Sequence, residues 1–282
     1  MLNNSPQKNI LKNKIEINKL KNLPKTTGVY ILRAANNLPL YIGKSINIRS
    51  RVMSHLRNAD EHKMISQTVQ VDFIETAGEI GALLLESKMI KEQSPLFNMR
   101  LRRLRTLCSI AIKKTKNGIV PVIVHDKSVI LGKTPNLYGL FPSKYAANGR
   151  LKKLAQKHQL CQAILNLEKM SNRGCFGLQL KTCLGACVGK ENRTIHDNRL
   201  INALDNFRVE IWPFNGPIDL IEKSDDWVQR HRIMNWCYLG TWCSKNKAKI
   251  QANTIRKFDL DYYKILVKPI MLNQKKIELI YK

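Results

Sequence analysis

Acidic residues are scarce in this sequence: 21 Asp and Glu stand against 48 Lys and Arg, a net charge of +27 over 282 residues. That surplus argues against a neutral or basic partner and points to a polyanion. Long apolar runs are missing too. None approaches the ~18 residues of a membrane span, so no membrane partner is expected. Met1 to Lys8 holds no apolar signal core, and the expected location is the cytoplasm, at the nucleoid. No basic amphipathic helix with an aromatic face is evident, which favours nucleic acid over a lipid surface. The seven cysteines include no Cys-x2-Cys pair, so the usual zinc knuckle is excluded. With an odd count and no export signal, thiols, metal ligands or core fillers are expected rather than disulfides.

The charge is unevenly spread. Residues 1–100 hold 15 basic and 8 acidic side chains, and residues 101–282 hold 33 and 13. From Arg100 to Lys157, 14 Lys and Arg face the single acid Asp126. Internal pairing cannot offset that repulsion, so an external polyphosphate is the better reading. Arg100, Arg102, Arg103, Arg105, Lys152 and Lys153 are the candidate DNA contacts. The expected organisation is a polar arm over 1–23, a compact domain over 24–100 and a basic, cysteine-containing DNA-binding domain over 101–282. The last of these reads as mainly helical from Ser143 onward.

Within the compact domain, Gly28–Arg33 and Leu38–Ile42 read as antiparallel strands joined by a turn at Ala35–Asn37. Apolar Ile48, Val52 and Leu56 at a spacing of four predict a helix capped by Ser45 or Asn47. Val69, Val71 and Phe73 alternate as a third strand. Glu79–Gln93 predicts a second helix, stopped by Pro95. The order β-β-α-β-α is a complete small α+β unit. Farther on, Leu107–Ile112 and Val120–Val124 predict a hairpin.

Several residues here do not read as core. Tyr30 and Tyr41 lie on adjacent strands, close enough to face one site. Lys44, between a strand and a helix, suits a phosphate. Arg51 and His55 share a helix face. Glu86 sits at the edge of an apolar stripe of Leu83, Met89 and Ile90, where a carboxylate needs an arginine or a divalent cation.

Gly28-Val29-Tyr30, followed eleven residues later by Tyr41-Ile42-Gly43, resembles the signature of the GIY-YIG nuclease family. Arg51 matches the family's catalytic arginine, Glu86 its metal-binding glutamate and Asn98 its trailing asparagine. Val29 replaces the family's isoleucine on the strand face opposite the tyrosines. Lys44 after Tyr-Ile-Gly, and Tyr138-Gly139 before a helix, extend the resemblance to the UvrC-like branch. A chain of 282 residues has no room for the second nuclease domain and helix-hairpin-helix module of full-length UvrC.

The resemblance implies a DNA endonuclease of nucleotide excision repair that hydrolyses one phosphodiester on the 3′ side of a lesion. Its substrate would be damaged double-stranded DNA in the UvrB–DNA pre-incision complex. A damage-inducible (SOS) role would fit the family. One carboxylate suffices for one hydrated Mg2+ (or Mn2+). Arg51 would clamp phosphate oxygens. Tyr30 is the expected general base, with Lys44, Arg51 and the metal supplying positive charge. Tyr41 would orient water or phosphate, and Asn98 would bond to a tyrosine or to backbone. For His55 a structural role and a phosphate contact stand open. The competing readings are a catalytically inactive DNA-binding module and a sequence-directed nuclease of the same fold.

Cys161, Cys175, Cys183 and Cys187 are spaced 14, 8 and 4 apart among glycines. From the residues alone, a 4Fe-4S cluster, structural zinc or buried free thiols all fit. Resemblance to UvrC, whose four cysteines are similarly spaced, implies a 4Fe-4S cluster remote from hydrolysis. Trp227, Trp236, Tyr238 and Trp242 beside Lys245, Lys247 and Lys249 suit either base stacking or a packed helical core.

Overall fold

The computed structural model describes residues 20–99, 106–169, 174–245 and 258–280. It is an α+β protein of two compact units. One combines the described residues of 1–104 and 214–282, and the other those of 105–213.

In the first unit, β1 (Gly28–Arg33), β2 (Pro39–Ser45) and β3 (Gln70–Glu75) form an antiparallel sheet in the order β2-β1-β3. Strand alternation sends Tyr30 and Leu32 to one face. There they pack against Ile48 and Val52 of α1 (Ile48–Arg57) and Met64 and Ile65 of α2 (His62–Gln67). Val29, Ile31 and Ile42 go to the other face, under Ala82, Met89 and Ile90 of α3 (Glu79–Gln93). Asn47 caps α1, its side chain accepting the Ser50 N–H at 2.9 Å.

The same unit holds a second antiparallel sheet of β7 (Ile218–Lys223), β8 (Val228–Met234), β9 (Cys237–Cys243) and β10 (Lys276–Leu279), in the order β10-β7-β8-β9. Helix α7 (Leu260–Met271) packs on β9 and on α3. The Trp227–Trp242 stretch is therefore a strand hairpin with Trp236 in its turn, not helix. Trp236 and Tyr238 are buried, their rings 5.2 Å from Tyr263 and 5.5 Å from Tyr262. Rings so enclosed cannot stack on bases, which corrects that alternative for Trp236 and Tyr238; Trp242 is partly exposed, and Lys247 and Lys249 lie outside the described residues.

The residues after 213 also differ from the expected single domain over 101–282. They group with the nuclease residues, because buried charges tie β7 and α7 to α3.

The second unit contains the expected hairpin, β4 (Cys108–Thr115) with β5 (Gly118–His125), and β6 (Leu137–Phe141) on the far side of β4. Leu151, Leu154 and Ala155 of α4 (Lys144–Lys157) and Leu200, Ala203 and Leu204 of α6 (Arg193–Asp205) close its core. Between these helices the chain folds around the cysteines, with one short helix, α5 (Phe176–Gln179).

Candidate active site and cysteine centre

Tyr30 pairs across the hairpin with Gly43, and Tyr41 with Leu32, so the two phenols meet on the diagonal with ring centroids 6.1 Å apart. A side chain on Gly43 would stand 2.3 Å from the Tyr30 hydroxyl and 2.8 Å from the Tyr41 ring. Glycine is required there by the closeness of the phenols. Both hydroxyls are pushed above the ordinary phenol pKa, Tyr30 chiefly by burial and then by Tyr41, and Tyr41 by burial and then by Glu86. The Arg51 guanidinium, close to Tyr30, opposes the shift and is itself raised by hydrogen bonding to that phenol.

His55 lies fully inside this group, its ring 5.4 Å from both tyrosine rings. Its Nε2 is 2.6 Å from the Tyr30 hydroxyl, and its Nδ1 is 2.5 Å from Glu61 Oε2. A carboxylate accepts only, so Nδ1 carries the proton, and in the neutral ring Nε2 then faces Tyr30 as an acceptor. Glu61 was not singled out from the sequence. It follows α1 in the single turn Ala59–Glu61, six residues from His55, and helix periodicity does not connect them.

Glu86 projects from α3, and its Oε1 accepts the Lys44 backbone N–H at 3.0 Å. Burial pushes its carboxyl pKa up, and the Lys44 amide and charge recover only part of the shift. A half-buried carboxylate short of positive charge fits a divalent cation. The Lys44 ammonium pairs with Glu79. Asn98 takes the backbone alternative, accepting from Ile42 N at 2.9 Å and donating to Ile42 O at 2.8 Å. It thus pins the strand between Tyr41 and Gly43.

In the second unit, the sulfurs of Cys161, Cys175 and Cys187 lie within 4.8 Å of one another, and Cys183 Sγ is 3.4 Å from Cys175 Sγ. Leu178 N–H donates to the Cys175 sulfur at 3.3 Å and Gly185 N–H to that of Cys183 at 3.2 Å. Gly185 has φ of +81°, a turn open to glycine. Burial pushes the Cys161 thiol up, and the Cys183 thiol up to about 11. Four clustered sulfurs, two of them with a backbone amide aimed at them, fit a cationic centre that binds thiolates.

Lys152 and Lys153 are exposed on α4, beside exposed Lys144, Tyr145, Arg150 and Lys157. Arg100, Arg102, Arg103 and Arg105 lie outside the described residues.

Comparison with known proteins divides the chain three ways. Residues 26–99 match the UvrC-like GIY-YIG domain, 107–206 the middle domain of UvrC/Cho excinuclease, and 217–280 the excinuclease Cho C-terminal domain. Excinuclease Cho of Escherichia coli K12 is 45% identical over 254 residues, covering 89% of this chain and 85% of that one. That of Salmonella typhi is 46% identical over 260 residues, covering 92% and 87%. Among solved structures, the N-terminal GIY-YIG endonuclease domain of Thermotoga maritima UvrC, bound to its catalytic magnesium, is 27% identical. It covers 29% of this chain and 93% of that one, with a TM-score of 0.27.

Proposed function

The chain belongs to the excinuclease Cho family and is a DNA endonuclease of excision repair; from that premise we propose that it makes one cut, on the 3′ side of a lesion, in damaged duplex loaded with UvrB. The observation that carries the chemistry is the hydrogen-bonded line Tyr30–His55–Glu61 opening beside Arg51.

Tyr30 takes the proton of the attacking water while its own proton passes to His55 Nε2. A phenol held high by burial needs such an acceptor, and Glu61 stabilises the imidazolium that results. Arg51 holds the phosphate oxygens with its fork of donors. Tyr41 packs against both Tyr30 and His55 and fixes the orientation of the water. Lys44 contributes charge at the start of the turn. Mg2+ or Mn2+ on Glu86 would neutralise charge at the scissile phosphate.

A single such centre occurs among the described residues, which supports one incision per encounter. The exposed lysines of α4 would bind backbone phosphates, giving affinity without sequence preference. The four cysteines would hold a 4Fe-4S cluster that organises the middle domain. The test is a duplex with one bulky lesion, labelled at either end and cut with and without UvrB. The expected product is one UvrB-dependent nick, 3′ to the lesion. A nick on the 5′ side, or cutting set by sequence on undamaged DNA, would overturn the reading.

A further inference from the structure

Helix α3, which carries Glu86, begins without a cap of its own. Its N-cap residue is Gly78, which has no side chain to accept the first-turn N–H groups. The acceptor comes from β7, about 140 residues along the chain. Glu222 takes the Ile80 N–H on Oε1 at 3.1 Å and the Gly81 N–H on Oε2 at 2.7 Å. Gln229 of β8 accepts the Ala77 N–H just ahead of the helix at 3.0 Å. His231 Nε2 lies 3.3 Å from Glu222 Oε2, and the Lys275 ammonium 3.5 Å from Oε1. The carboxylate is buried, so these four partners replace its hydration.

The approach is close enough to dictate sequence. A side chain at Gly78 would stand 2.3 Å from Glu222 Oε1, and one at Gly81 2.8 Å from Gln229 Oε1 and from the His231 ring. The other end of α3 is held by the same C-terminal segment. Lys91 lies buried, its ammonium 2.6 Å from Asp259 and 3.1 Å from Asp261 and over the Tyr262 ring. Glu86 falls midway, five residues from Gly81 and five from Lys91, or about 7.5 Å of helix from each anchor.

We propose that Glu222 is a positioning residue of the nuclease centre: by capping α3 from the C-terminal sheet it fixes the register of Glu86, so that residues 217–280 form part of the cation site without touching it. The proposal rests on the reading of Glu86 as the cation ligand. A helix start freed by loss of the cap frays or slides, and a displacement of the order of 1 Å at a reacting centre costs about a hundredfold. Glu222 carries a negative charge at the positive end of the helix, so a neutral isostere weakens the cap even where the shape is kept.

The experiment measures Mn2+ binding by calorimetry, and the Mg2+ dependence of single-turnover cutting, on the full chain and on Glu222→Gln, Glu86→Ala and Arg232→Ala. Arg232 pairs with Asp219 in the same sheet; it follows His231, but strand alternation sends it to the face opposite the cap, so it controls for general loosening of that sheet. Glu222→Gln is expected to weaken Mn2+ about tenfold and to raise the Mg2+ concentration for half-maximal cutting by the same factor, with DNA affinity unchanged. Arg232→Ala is expected to lower the unfolding temperature and leave Mn2+ affinity alone. Should Glu222→Gln not fold, Lys91→Met at the opposite anchor takes the same measurement. Wild-type Mn2+ affinity in whichever of these two folds, with Glu86→Ala unable to bind, overturns this proposal and leaves the reading of Glu86 intact. Mn2+ binding that survives Glu86→Ala overturns that reading instead.

Discussion

The Tyr30 hydroxyl and His55 Nε2 are 2.6 Å apart in the buried face of the nuclease sheet, with Glu61 fixing the opposite ring nitrogen. If His55 receives the Tyr30 proton, His55→Ala slows single-turnover cutting by about 10²–10⁴-fold. Glu61→Gln removes a charge-assisted bond of about 1.5–3 kcal/mol, slowing the step about ten- to a hundredfold. Quench-flow on a labelled lesion duplex measures both. DNA affinity, followed by anisotropy, stays at the wild-type value in each.

Glu86 binds its proton more tightly in the folded chain than in the unfolded one, first because of burial. Its ionisation therefore costs the fold stability. The cost begins as pH rises through the unfolded value, about 4.5, and is complete above the folded value. Glu86→Gln removes the cost. In EDTA at pH 7 the variant should melt higher than wild type, and the gap should close below pH 4. Cutting by the same variant should be lost.

Glu222 shows the opposite sign. Burial alone pushes its carboxyl up, but His231 and the Gly81 and Ile80 amides together hold it below the ordinary range. Its contribution is present above the unfolded value near 4.5 and is lost as pH falls through the lower folded value. Amides in the first turn of α3 should lose hydrogen-exchange protection on acidification. In Glu222→Gln that protection should be low already at pH 7.

Exposed Lys152 and Lys153 project from α4. Replacing both by alanine removes up to two phosphate contacts, so the slope of log affinity against log salt becomes shallower by about 0.9 per contact. Binding to damaged and undamaged duplex should weaken by the same factor. A loss confined to the damaged duplex would mean that these lysines read structure rather than charge.

The 4Fe-4S cluster proposed for the four sulfurs around Cys175 predicts coloured protein with about four irons per chain when it is purified without oxygen. Cys183→Ala should lose the colour and lower the melting temperature. In metal-free protein the Cys183 thiol, raised to about 11, should alkylate slowly at pH 8 compared with a free thiol.

Local rules carried the nuclease domain far. Helix α3 runs over the residues its apolar spacing predicted, the cap falls on Asn47, and the two tyrosines meet because strand pairing puts them on one face. What escaped has a common cause. Buried positions in β8 are Gln229, His231 and Ile233, so two of the three inward side chains are polar and the alternation that marks a strand is hidden. Glu61 and Glu222 act across a turn and across about 140 residues, distances at which no periodicity operates. The polar interior of β8 exists because it meets the bare N-terminus of α3.

The most direct test of the account is the single-turnover rate of Tyr30→Phe on a UvrB-loaded lesion duplex at saturating Mg2+. Removing one oxygen leaves the ring packing of the site in place, so the account predicts wild-type DNA binding and a rate lowered by at least a hundredfold. Cutting at the wild-type rate would contradict it.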